Sequence, residues 1–124
     1  MAFDLRGVIR QASVIKPAAA RNAGATGVAV SRGGDETVVF LLDVGTVTDG
    51  SHTPVLKESD DNSTFTNVAA GDMDGSFAAM ATNVLQTVAY QGKKEYVKVD
   101  VTQSGSTTGA LYACQAVVGG LRKI

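Results

Sequence analysis

Apolar residues recur along this chain either with period two or as short continuous runs, and both patterns are those of β-strands. In Tyr96-Val97-Lys98-Val99-Asp100-Val101-Thr102 the three valines share one face, and Tyr96, Lys98, Asp100 and Thr102 share the other. This predicts a strand with its valine face in the core and its charged face in solvent. Residues 37–47, Thr-Val-Val-Phe-Leu-Leu-Asp-Val-Gly-Thr-Val, are almost continuously apolar, as expected of a central strand covered on both faces. Thr48-Asp49-Gly50-Ser51-His52 follows, and its Asp-Gly pair suits a hairpin turn, so residues 53–58 are expected to return as the paired strand. Pro54 cannot donate to a ladder and belongs at that strand's start or on an edge.

The remaining chain reads the same way. Ser59-Asp60-Asp61-Asn62-Ser63 is a turn cluster, and residues 64–68 make a short strand between Phe65 and Val68. Residues 69–81 are the least β-like and are expected to cross between sheets, with one helical turn over 77–81. Strands are predicted at 84–90, 96–102 and 110–118, the last buried near the middle of a sheet, with turns at 91–94 and 103–109. Upstream, residues 27–31 and 8–15 read as strands, the former ended by Arg32-Gly33-Gly34-Asp35. The alanines of residues 16–21 favour a helix that Asn22-Ala23-Gly24 stops. The expected fold is all-β: a single antiparallel sandwich or jelly-roll-like domain of about seven or eight strands with short helical turns. Residues 1–16 form an N-terminal arm or edge strand, and residues 17–124 the sandwich.

Composition narrows the function. The 124 residues are 44% hydrophobic and 19% charged, with a formal net charge of -1, and the isoelectric point is near 5.7. No excess of basic charge points to nucleic acid or an anionic membrane. No apolar stretch approaches the ~18 residues that span a bilayer, and the charges Asp4, Arg6 and Arg10 interrupt the apolar core a signal peptide would have. Cys114, the one cysteine, lies in an apolar run and reads as a small buried hydrophobe, which suits a reducing cytoplasm.

Catalytic chemistry is thin. The one histidine, His52, sits in the expected hairpin turn beside Asp49, where solvation is the simpler reading than a Ser-His-Asp arrangement. Asp72-Met73-Asp74-Gly75 starts like a calcium loop, but Ser76-Phe77 follow and no glutamate lies between Glu58 and Glu95. Gly33-Gly34 lacks the lysine and helix of a phosphate loop, and Lys93-Lys94 and Arg122-Lys123 are too sparse for a nucleic-acid stripe. Asn62-Ser63-Thr64 matches a glycosylation acceptor without a secretion signal. No enzyme, metal or cofactor is expected.

Several stretches taken together resemble a family of small structural proteins encoded in the head-gene clusters of tailed bacteriophages. They are residues 39–56 (Val-Phe-Leu-Leu-Asp-Val-Gly-Thr-Val-Thr-Asp-Gly-Ser-His-Thr-Pro-Val-Leu), residues 58–66 (Glu-Ser-Asp-Asp-Asn-Ser-Thr-Phe-Thr), residues 90–99 and residues 101–110. The resemblance spans residues 38–120, about two-thirds of the chain. It implies a virion component, a capsid decoration (cement) protein that binds the major capsid protein lattice and associates with itself, as a trimer, on the capsid. It would pass through the host cytoplasm during assembly. A head–tail joining or tail structural protein is the alternative within the virion. Outside it, residues 58–66 are also similar to a hairpin of discoidin-like sandwiches that bind sugars, with Tyr90 and Tyr96 as a possible platform, although the chain has no tryptophan. A decoration protein needs arms toward its neighbours, and Phe3, Leu5, Arg6, Arg10, Arg122 and Lys123 are the candidate partner-binding residues. The simpler reading is that these residues complete edge strands.

Overall fold

A computed structural model describes residues 9–32 and 37–119, and for Ile9 and Arg10 the backbone alone. Of the candidate partner-binding residues, Phe3, Leu5, Arg6, Arg122 and Lys123 lie outside the described residues, as does the side chain of Arg10. So do residues 33–36, where the strand upstream of the central one was expected to end.

Ten strands occur among the described residues: β1 (Ile9–Ile15), β2 (Ala25–Thr26), β3 (Val30–Ser31), β4 (Thr37–Val47), β5 (Ser51–Ser59), β6 (Thr66–Asn67), β7 (Met73–Asp74), β8 (Leu85–Tyr90), β9 (Tyr96–Ser104) and β10 (Ala110–Gly119). Four of them have only two residues, so the long strands number fewer than the seven or eight expected. They form two antiparallel sheets in a sandwich. One has the order β1-β10-β4-β8-β7; the other has β2-β9-β5-β6, with β3 also on β9.

Period-two alternation puts a buried layer between the sheets. Val38, Phe40, Leu42 and Val44 of β4 face inward and are at most 2% exposed, beside Cys114, Ala116 and Val118 of β10. The opposite sheet supplies Leu56 from β5 and the Val97, Val99 and Val101 face of β9, as the alternation there predicts. β4 does lie centrally, between β10 and β8. Its outer residues Val39 and Leu41 remain half-exposed, however, so it is covered by core on one face only.

The expected hairpin is a corner. β4 pairs with β10 and β8, whereas β5 pairs with β9 and β6, so Thr48-Asp49-Gly50 carries the chain from one sheet to the other. Gly50 takes the left-handed φ of +80° that the Asp-Gly pair promised. Local turn chemistry is the same in both cases, because it reverses the chain without choosing which strand will be its partner. The stretch 103–109 makes a second corner at the same end, from β9 to β10. The Asp49 carboxylate ties the two together, accepting from the backbone N–H groups of Thr107 (3.1 Å), Thr108 (3.1 Å) and Gly109 (2.7 Å).

Pro54 sits inside β5, not at its start. The His52 and Leu56 carbonyls accept from Met80 (2.8 Å) and Val68 (3.0 Å), so alternate residues of β5 turn their backbone polar groups away from β9. Pro54 shares that side, and β6 pairs only with Lys57 and Glu58. The missing N–H therefore faces an edge where no ladder bond is lost. Residues 69–81 cross between sheets as expected, but the helical turn is a 3-10 turn at Ala70–Asp72, and residues 77–81 have no regular secondary structure. There the Gln86 side chain imitates a neighbouring strand, donating to the Ala78 carbonyl (3.0 Å) and accepting from its N–H (2.8 Å).

Upstream, the strand expected at residues 27–31 is limited to β3, and the short β2 precedes that range at Ala25–Thr26. A Cβ at Gly27 would collide with the Val99 carbonyl, and the Val28 N–H bonds the Val14 carbonyl of β1 (2.9 Å), so the chain leaves β9 here to link the sheets. The alanines of residues 16–21 form no helix, because the Arg21 guanidinium gathers this segment by donating to the carbonyls of Lys16 and Tyr112.

Two glycines with positive φ separate conformational strain from crowding. Gly105 (φ +71°) has open space where a Cβ would stand, whereas at Gly109 (φ +95°) a Cβ would overlap the Arg21 carbonyl. Gly105→Ala is expected to cost about 1 kcal/mol through backbone strain alone. Gly109→Ala is expected to cost about 3 kcal/mol or more by chemical denaturation, because it also displaces backbone at the clamped corners.

Candidate functional site: an apolar sheet face

The residues that carry chemistry are used up by the fold. His52 is fully buried, not solvated at a turn tip, because the corner turns it inward. Its Nε2 lies 3.1 Å from the Asp49 carbonyl, its ring is 6.2 Å from that of Tyr112, and neither its Nδ1 nor the Tyr112 hydroxyl has a partner among the described residues. Among the described residues no serine is hydrogen-bonded to it in the manner of a nucleophile. Cys114 is fully buried, and burial pushes its thiol pKa up to about 12, which removes the thiolate that reactivity needs.

The acidic loops serve turns. Asp61 Oδ1 accepts from the Ser59 hydroxyl (2.8 Å) and from the N–H groups of Ser63 (2.9 Å) and Thr64 (2.9 Å), which together hold its pKa at about 2. The N–H groups of Gly109, Thr108 and Thr107 likewise lower the pKa of Asp49. Among the described residues no group of three His, Cys, Asp or Glu side chains converges as a metal site.

An open pocket of 330 Å³ is lined by Glu58, Asp60, Asp72, Gln91, Lys93 and Lys94. Its Lys94 ammonium pairs with Asp60 at 2.7 Å. Tyr90, one half of the sugar platform considered from the sequence, is 1% exposed and offers no ring to a ligand. Its hydroxyl donates to Glu58 Oε1 (2.6 Å) and accepts from the Lys94 N–H (3.0 Å). Burial, and that bond to Glu58, raise its pKa.

The two outer faces of the sandwich differ sharply in chemistry. On the β9–β5 sheet, Lys57, Lys98 and Asp100 point outward; Asp100 Oδ2 lies 3.5 Å from Lys57 Nζ and 3.4 Å from Lys98 Nζ. The Lys98 ammonium also stands 4.5 Å over the Phe65 ring. That face carries a partly buried charge network, the side chains of Lys98 and Asp100 each being 16% exposed. On the β10–β4–β8 sheet, register and alternation turn Val117, Val39 and Ala89 outward in one row, with Leu41, Leu85 and Leu111 nearby. Leu85 is 57% exposed and Leu111 40%. Asp43 and Asp74 are the charged side chains among the described residues of this face. Gln115 and Thr87 flank Leu41, and Gln11 and Ser13 lie beyond them on β1, so the apolar surface is a band through β10, β4 and β8 with polar residues along it. At one end the face deepens into an open groove of 380 Å³, with Asp43, Gly45, Leu111 and Ala113 in its floor and Pro17, Ala18 and Asn83 beside it.

The candidate partner residues read from the chain lie in the terminal segments, and none of them is among the residues named for this face. The signal was present in Val39, Leu41 and Val117, which the near-continuous apolar runs had assigned to core. Arg10 falls within the edge strand β1, opposite Val118.

No family model and no curated protein matches the chain. A solved chain from the Bacillus endospore appendages, described as a novel family of disulfide-linked pili, is similar in fold. The likeness covers 93% of this chain and 90% of that one, with a TM-score of 0.52 and 19% identity.

Two predictions follow from the buried and turn-forming groups. Tyr90→Phe leaves Glu58 and the Lys94 N–H without a partner and is expected to cost about 1–2 kcal/mol in urea unfolding, whereas Tyr112→Phe removes an unpartnered hydroxyl and should stay within about 0.5 kcal/mol of the parent. Asp61 has a folded pKa below its ordinary value, so its contribution to stability is complete above about pH 4 and is lost as the pH falls toward 2. Urea midpoints measured between pH 5 and pH 2 should therefore fall more steeply for the parent than for Asp61→Asn.

Proposed function

We propose that the protein is a structural subunit of a tailed-phage virion that decorates the capsid by binding the major capsid protein lattice, and that it transforms no substrate. The observation that carries this reading is the asymmetry of the sandwich, with paired charges on one outer face and a band of valine, alanine and leucine on the other. Non-obligate partners meet through faces of this kind, with an apolar centre and a polar rim. The resemblance of residues 38–120 to phage head-cluster proteins supports the choice of lattice. The role as an assembly subunit also accords with a fold found in a pilus chain. The disulfide linkage described for those pili would need an exposed thiol, and the one cysteine here is fully buried.

Purified protein is expected to bind expanded capsids saturably, at a copy number set by the shell lattice. Leu85→Asp, on the apolar face, should weaken binding at least about tenfold, whereas Thr102→Asp, on the charged face, should not change it. Binding to tails alone, a copy number set by a single ring at the neck, or equal effects of the two substitutions would overturn the reading.

A further inference from the structure

We draw no further inference here: the strongest candidate, the open polar pocket lined by Glu58, Asp60, Asp72, Gln91, Lys93 and Lys94, carries nothing, because its Lys94 and Asp60 satisfy each other, its Glu58 is bound by the Tyr90 hydroxyl, and nothing in the structure shows what would occupy it.

Discussion

The fold depends on one buried layer shared by two sheets, the inward side chains of β4 and β10 on one side and the valine face of β9 on the other. Every other feature is arranged so that the chain can keep returning to it. Because the layer lies between the sheets, a strand that has buried one face gains most by handing the chain to the opposite sheet, and the connections from β4 to β5, β8 to β9 and β9 to β10 all do so. The long-range character of these pairings makes the corners more important than the strand interiors. Asp49 is the clearest case: a surface carboxylate that satisfies three backbone N–H groups of the second corner holds in register two connections sixty residues apart.

That architecture explains where the chemically versatile residues went. His52 and Tyr112 lie at the clamped end, inside the layer, and Cys114 lies in the middle of a central strand. The carboxylates of Asp49 and Asp61 are bound to backbone N–H groups, and those of Asp60 and Asp100 pair with lysines. A Lys57–Asp100–Lys98 network on one face and outward valine, alanine and leucine on the other distinguish the two outer faces of the sandwich.

Much of this was legible in the chain, and the failures have specific causes. The alternation in residues 96–102 and the apolar runs at 37–47 and 110–118 located β9, β4 and β10 to within a residue or two, because period-two burial is a local property of a strand. The shortening of the strand expected at 27–31 was not legible, since it arises from the close approach of Gly27 to the Val99 carbonyl and from a hydrogen bond to the other sheet. His52 was misplaced for a related reason. A residue just after an Asp-Gly turn is exposed at the tip of a hairpin but can be turned inward at a corner. The apolar face was hidden by its own composition, because Val39 and Leu41 look like core in a sequence whether a second layer covers them or not.

The sequence by itself therefore determined that the chain is all-β, where its long strands run, which residues turn, and that no constellation of catalytic groups is spelled out. The tertiary structure alone decided which strands are partners, that the Asp-Gly turn joins two sheets, that one outer face is left apolar, and that a groove ends that face. Alternation, propensity and turn chemistry act over a few residues and are written locally. Strand partnership and the exposure of a face depend on which distant segments arrive alongside, and no local pattern encodes that.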